Sequence, residues 1–391
     1  MTKYFEFQMS VKVCCGEKAL EHLAYELRGL NCKKPLIITD PTLKKLGMVD
    51  LATESLARGT PFELFDEVPQ DSGLEPVEKA AQRYRDCACD GIVAIGGGSV
   101  LDTAKGVRVL LSANARKVTD VLGCEEMTRG APVPFIAVPT TSGTGSEATT
   151  VAVIADAAKG VKLEFITDKM QPDVAFLDAR MTEKLPARLT ASTGADALCH
   201  AIEAYSCIQK NPLSDAFALQ AVDSIVKNLP VAVKSPSNAA ARLALAQASF
   251  MAGAAFSNSM VGAVHAIGHA LGGVCHVPHG DAMSILLPYV MRYNASDDLC
   301  AKSYAGLAGV LGAKPADSLK EQVENVIESV ENLLQALHKS CGLPVKLSET
   351  GRVEKDALNA VCEKALNDGA LLFNPKALTA TDVKHILEQA Y

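Results

Sequence analysis

The sequence predicts two domains, an α/β domain built on a parallel sheet at residues 1–184 and an all-α domain at residues 185–391. Three observations lead there. Short apolar runs alternate with helical periodicity through the first half, the pattern of strands buried on both faces and joined by crossover helices. From about residue 182 only helical patterns follow one another. The texture changes at 180–186, just ahead of Pro186, which sets the boundary.

In chain order, residues 4–13 alternate like a strand, and EKALEHLAYELRG at 17–29 has helical periodicity. KPLIITD at 34–40 is a short apolar run closed by a carboxylate, Asp40, and reads as a buried parallel strand. A helix over 42–56, a strand at 61–65 (PFELF), a helix over 75–89 and a strand at 91–95 (GIVAI) follow. Gly96, Gly97, Gly98 and Ser99 come next and open the helix VLDTAKGVRVLLS. Strand, glycine turn and helix together let backbone N–H groups and the helix dipole hold a phosphate. The turn is neither GxGxxG nor a Walker sequence. Three glycines and a serine exceed what a bare strand-to-helix turn requires, so phosphate binding is expected.

PFIAVPTT at 134–141 is a further buried strand and opens into SGTGSEATT. A hydroxyl-rich loop at the carboxyl end of such a strand lies where open α/β sheets bind ligands, and it suits the flank of a dinucleotide. Residues 151–178 read as extended, including VKLEFIT and PDVAFLD. Helices are then expected at 190–206, 213–228, 238–257, 261–272, 281–293, 298–311, 318–340, 353–367 and 379–389, with no convincing strand among them.

Four of the eight histidines fall within VGAVHAIGHALGGVCHVPHGD at 261–281: His265, His269, His276 and His279. Spacing of four places His265 and His269 on one helix face. Gly272 and Gly273 are expected to end that helix, and Pro278 with Gly280 to make a turn presenting His279 back toward it. One HxxxH fits a metal site and a buried helix with backbone-bonded histidines about equally. TGADALCHAIEAY at 193–205 shifts the balance, because Asp196 and His200 are again four apart on a helix. One carboxylate and up to four imidazoles can close on a single divalent ion, and mixed N and O donors suit Fe, Zn, Co, Ni or Mn. As a first-turn helix carboxylate favoured by the dipole, Asp196 has a structural reading too.

Hydrophobic content of 48% with 21% charged residues is that of an ordinary globular chain, and a net charge of −7 gives no footprint for nucleic acid. No apolar run near the length of a membrane span stands out, and the N-terminus has no signal-peptide core, so a cytoplasmic enzyme is expected. The twelve cysteines include no CxxC and read as reduced thiols.

The motifs GGGSVLDTAKG (96–106), PTTSGTGSEAT (139–149), TGADALCHAIEAY (193–205) and HAIGHALGG…HVPHGDAMSILLP (265–288) together resemble the iron-containing (group III) alcohol dehydrogenases. LIITD at 36–40 and NPKALTATDV at 374–383 add weaker agreement. The resemblance runs nearly end to end. It implies a Rossmann-like nucleotide site in a dehydroquinate synthase-like architecture, with metal ligands Asp196, His200, His265 and His279. It places His269 near the nicotinamide; His269, or a water it holds, is the candidate for passing a proton to solvent, with a satisfied core histidine as the other reading. His276 falls where the family varies and is read as either supporting the ligands or structural. It assigns Gly97, Gly98 and Ser99 to the pyrophosphate, and Asp102 close to the cofactor. Thr140, Thr141, Ser142 and Thr144 form the cofactor loop, Lys162 matches a lysine that reaches the nicotinamide-side ribose, and Asp40 matches the acceptor for the adenosine ribose. A carboxylate there accepts from a 2′-OH and repels a 2′-phosphate, so NAD is expected over NADP. Asp281 and Met283 depart from the family pattern, which usually has a Leu or Val-like residue and an Asn at those positions.

The expected activity is NAD-dependent, metal-dependent oxidation of short primary alcohols or diols, or reduction of the aldehydes, by a homodimer or larger homo-oligomer. Phe256 belongs to apolar surroundings that favour such substrates. The resemblance implies Fe(II), and Zn(II) or another divalent ion also fits one Asp and three His. The alternatives on the same fold are a hydroxyacid–oxoacid transhydrogenase, a glycerol dehydrogenase, a maleylacetate reductase or a dehydroquinate synthase-like lyase. A non-catalytic metal or nucleotide sensor is the alternative outside enzymes.

Overall fold

Four strands are apolar enough to be buried along their whole length, and they form the centre of the sheet. In this computed structural model, which describes residues 4–121, 133–156 and 161–391, they are β2 (Pro35–Ile38), β4 (Gly91–Gly96), β5 (Phe135–Pro139) and β8 (Val174–Asp178). The edges are the more exposed β1 (Lys12–Gly16) and β3 (Glu63–Phe65). The order is β1-β8-β5-β4-β2-β3, and every pairing is parallel. The remaining two strands, β6 (Val151–Asp156) and β7 (Val161–Ile166), form a separate antiparallel hairpin. So the stretch read as extended over 151–178 gives one sheet strand and one hairpin, and the first strand falls at 12–16 where 4–13 is expected.

Alternation along β4 divides the packing. Ile92 and Ala94 join one apolar layer with Val77, Ala80 and Val107, whereas Val93 and Ile95 join the other with Leu20, Leu23 and Val49. The first layer is carried by α4 (Leu74–Asp86) and α5 (Gly98–Ser112). The second is carried by the short α1 (Leu23–Gly29) and α3 (Met48–Thr53), with α2 (Pro41–Lys45) between them in the chain. Beyond β2 the chain moves outward to β3, and beyond β4 it crosses to β5 on the opposite side. The carboxyl ends of β2 and β4 therefore flank the reversal point where open α/β sheets bind ligands.

The chain groups into two compact units, residues 8–185 and the helical residues 186–391, the latter joined by the described residues 4–7. Phe7 stacks on Phe217 at 5.7 Å between ring centres, which takes the N-terminal arm to the helical unit where the sequence reading placed it in the α/β domain. The helical unit runs through α6 (Ala187–Ser206), α7 (Pro212–Lys234), α8 (Ala239–Ser257), α9 (Ala263–Cys275), α10 (His279–Asn294), α11 (Asp298–Gly306), α12 (Ala308–Leu311), α13 (Leu319–Cys341), α14 (Leu358–Ala365) and α15 (Ala380–Ala390). Side-chain caps begin many of them: Asn211 for α7, Asn238 for α8, Asp297 for α11, Ser318 for α13, and Thr379 with Asp382 in a capping box for α15.

Contrary to the sequence reading, α7 and α8 are long and apolar enough to cross a bilayer, each reaching a mean hydropathy of 1.2. One face of each packs into the helical core, through Ala218, Val222, Ile225 and Leu229 of α7 and Leu245, Ala248 and Ala252 of α8, while Leu213 and Val231 of α7 stay exposed. All eleven cysteines among the described residues are free thiols.

Candidate functional site

In the helical unit, three helices aim histidines at one carboxylate. Helix α6 supplies Asp196 and, one turn later, His200; α9 supplies His265; α10 begins with His279. Asp196 Oδ1 lies 3.3 Å from His279 Nε2, 3.7 Å from His265 Nε2 and 3.9 Å from His200 Nε2. Ligands about 2.1 Å from a tetrahedral ion sit about 3.4 Å from one another, so these separations suit a shared divalent ion. Donor atoms of Asp196, His265 and His279 all fall within 4.8 Å of one another, and His200 stands beside them.

Burial supports the same reading. Asp196, His200 and His265 are buried, while the His279 side chain stays 40% exposed, leaving the cluster open on that side. Asp196 Oδ1 and His265 Nε2 are buried without a hydrogen-bond partner among the described residues. Buried polar atoms left in that state cost stability, whereas a cation would satisfy both. Burial alone would raise the pKa of Asp196, but the histidines around it hold it well below the usual carboxylate range. Burial alone would lower that of His265, yet Glu203 and Asp196 outweigh it and raise the value to about 9.

The remaining histidines separate by role. His269 Nδ1 is 2.9 Å from Asp368 Oδ2, and its ring stacks on that of His279 with centres 5.5 Å apart. His200 lies between Phe256 and His265, stacked on both. The sequence reading ends the histidine helix at Gly272 and Gly273, but α9 continues to Cys275 and stops at exposed His276, which adopts the left-handed conformation at φ 57°. His276 is therefore the helix terminator. Gly280 does not make a turn but lies inside the first turn of α10, pressed against Ser192 of α6. The departure at Asp281 has a packing explanation: its carboxylate accepts from Ser192 Oγ at 2.9 Å and pairs with Arg188 at 2.7 Å, tying α10 to α6.

Two acidic residues were missed by sequence reasoning. Glu203 accepts from His265 Nδ1, and Asp368 is paired with His269. The signal for Glu203 was present, since it lies seven residues after Asp196 on the same face of α6. For Asp368, 99 residues from His269, there was none.

The α/β unit assembles the other group. Gly97 caps α5, and added Cβ atoms on Gly97 and Gly98 would stand 3.1 Å and 2.9 Å from the side chains of Thr141 and Thr144. The glycine turn and the hydroxyl loop are thus in direct contact, and Thr140 N–H donates to Gly96 O at 3.1 Å. Ser99 Oγ accepts from Asp71 N–H. Asp102 is engaged within the protein, Oδ1 accepting from Ser146 Oγ and Oδ2 from Val153 N–H. Ser142 is buried in the same loop. Asp40 stands at the end of β2, where Oδ1 accepts from Leu43 N–H and caps α2. Lys162 pairs through its backbone with Ala155 in the hairpin, and its side chain lies outside the described residues.

A buried Lys105 supports the loop from below, donating to Thr149 Oγ1 and Val151 O at 2.7 Å each; burial lowers its pKa to about 8. Burial likewise raises that of Glu147, to about 7.

Residues 10–179 match the family profile described as iron-containing alcohol dehydrogenase, and residues 190–391 match its C-terminal counterpart. The chain belongs to the iron-containing alcohol dehydrogenase family. It is an oxidoreductase with the dehydroquinate synthase-like fold of that family. It is 36% identical to the NAD-dependent methanol dehydrogenase of Bacillus methanolicus over 394 residues, covering 100% of both chains. It is 35% identical to the lactaldehyde reductase of Escherichia coli K12, covering 96% of this chain and 97% of that one. Among solved structures, a 1,3-propanediol oxidoreductase superposes with a TM-score of 0.94 at 33% identity, covering 100% of each chain.

Proposed function

We propose that this iron-containing alcohol dehydrogenase interconverts short primary alcohols or diols and their aldehydes, with NAD and Fe(II) as cofactors. The observation that carries the reading is the convergence of three imidazole nitrogens on one buried carboxylate oxygen. When bound, the metal supplies a Lewis acid for the substrate oxygen and the nicotinamide accepts or returns the hydride.

The chain's own residues hold and orient these groups. Asp196, His200, His265 and His279 hold the metal, and the exposed side of His279 leaves room for a small substrate. Gly97, Gly98 and Ser99 receive the pyrophosphate at the amino end of α5, flanked by Thr140, Thr141, Ser142 and Thr144. Asp102 acts through the loop it anchors, and Lys162 reaches the nicotinamide-side ribose. His269 passes the alcohol proton to solvent, its ring orientation fixed by Asp368. Among the relatives, a methanol dehydrogenase, a lactaldehyde reductase and a propanediol oxidoreductase support small, neutral substrates, whereas a long-chain-alcohol dehydrogenase at 36% identity supports a longer alcohol. A soluble cytoplasmic homodimer is the assembly proposed.

Metal-stripped protein given Fe(II), Zn(II), Mn(II) or no metal, with NAD and a panel of short alcohols and diols under anaerobic conditions, is expected to show metal-dependent growth of the reduced-nicotinamide absorbance. No signal with any alcohol, and none in reverse with aldehydes and NADH, would overturn the reading and favour the lyase chemistry of the same fold.

Cofactor choice follows from Asp40, whose cap bond fixes a carboxylate at the end of β2. A like-charge contact with a 2′-phosphate costs several kcal/mol. The preference for NAD over NADP in kcat/KM is therefore expected to be on the order of 100-fold or more. Asp40→Gly should bring the two cofactors within about tenfold of each other. Equal use of both cofactors by the unaltered enzyme would refute the role of Asp40.

A further inference from the structure

We infer that Glu203 is the positioning residue of the metal centre, setting both the ring rotation and the tautomer of His265. The inference rests on the metal-centre reading above and assigns a task to a residue outside its ligand set.

Glu203 lies one turn beyond His200 on α6, buried, with its two oxygens committed to adjacent residues of α9. Oε1 accepts from Val264 N–H at 2.7 Å, and Oε2 is 2.5 Å from His265 Nδ1. The approach is close because the residue before α9 is glycine: a Cβ on Gly262 would stand 3.2 Å from Glu203 Oε1 and 2.8 Å from Asn374 Oδ1. Asn374 takes the neighbouring helix N–H, that of Ala263, at 3.1 Å. The first turn of α9 is therefore capped from outside by two side chains, and only Glu203 also grips a histidine.

Its chemistry makes the carboxylate irreplaceable. Two N–H donors face it, and only an ionised carboxylate offers an acceptor to both. Accepting from Nδ1–H keeps a proton on that nitrogen, so that Nε2, 3.7 Å from Asp196 Oδ1, is the nitrogen that would face a metal. Glutamine has the same shape but one acceptor. If its oxygen stays on Val264, its NH₂ faces Nδ1, which must then accept, and the ring proton moves to Nε2, where a metal would bind. If the amide is reversed, NH₂ meets the Val264 N–H and the helix cap is lost.

The test is zinc affinity, measured by competition with a chromophoric chelator on metal-stripped full-length protein. The proteins are the unaltered enzyme, Glu203→Gln, Asn374→Ala and His279→Ala, each also melted without metal. Glu203→Gln is expected to bind zinc about 10–100-fold more weakly. Asn374→Ala loses a cap on the same helix turn, so it should melt at a lower temperature yet bind zinc within about threefold of the unaltered protein. Zinc affinity unchanged in Glu203→Gln but lost in His279→Ala would overturn the role of Glu203 and leave the metal centre standing. Affinity unchanged in His279→Ala would instead overturn the metal centre itself. Should Glu203→Gln not fold, ring ¹⁵N spectra of the zinc-loaded unaltered protein decide the matter. A proton on His265 Nδ1 with zinc on Nε2 is expected, and the reverse assignment refutes the inference.

Discussion

Replacing Asp196 with alanine is expected to remove the bound metal and to lower kcat/KM by on the order of 1,000-fold or more. The carboxylate oxygen is the point to which His200, His265 and His279 are all directed, within 3.9 Å. Without it the three imidazoles would have to hold a divalent cation with no anionic ligand, in a buried setting where charge compensation matters most. A Lewis acid acting on the substrate oxygen is worth several kcal/mol, and each 1.36 kcal/mol is tenfold in rate. The proposed nucleotide group lies at the carboxyl ends of β2, β4 and β5, in the other unit, so NAD affinity measured by fluorescence titration should stay within about threefold. Metal content and turnover equal to those of the unaltered enzyme would remove Asp196 from the centre. Loss of NAD binding together with metal would point to general unfolding.

The sequence reading reached both candidate groups because each is local. Asp196 with His200, and His265 with His269, are four apart on helices, a spacing that survives any tertiary arrangement. Gly97, Gly98 and Ser99 follow a strand so uniformly apolar that it had to be central in a parallel sheet. What escaped was set by approach between elements distant in the chain. Glu203 shares a face of α6 with Asp196, which its spacing shows, but only the seating of α9 against α6 gives it two N–H partners. Asp368 becomes relevant because a short helical turn at 369–373 brings its carboxylate to His269.

Glycines show the same division. Gly272 and Gly273 look like a helix stop, yet their helix continues, and the terminator is His276. Gly280 looks like part of a turn, yet its task is to let two helices touch. Composition also misleads at α7 and α8, whose alanine-rich sequences fit a bilayer and a tightly packed helical core equally well.

Gly280 supports the second large effect, and a sister glycine supplies the control. A Cβ at Gly280 would stand 2.4 Å from the backbone oxygen of Ser192, 2.5 Å from its Oγ and 2.8 Å from its carbonyl carbon. Two of these are main-chain atoms of α6, so no rotamer change relieves the contact. Gly280→Ala must push the first turn of α10 away from the helix that carries Asp196, and His279 is the preceding residue. Overpacking of this kind costs about 1–3 kcal/mol, or roughly 5 °C in melting temperature. The same displacement draws His279 Nε2 away from its 3.3 Å approach to Asp196, so zinc affinity should fall at least about tenfold.

At Gly272, inside α9, the nearest atom to an added Cβ is Val277 O at 3.6 Å, an ordinary contact. Gly272→Ala should therefore gain up to about 1 kcal/mol of helix stability and leave zinc affinity unchanged. Calorimetry and chelator competition on the two variants are thus expected to move in opposite directions for one chemical change. Equal melting temperatures and equal zinc affinities would mean that α10 has room to spare, and that the position of His279 does not depend on the packing of its first turn against α6.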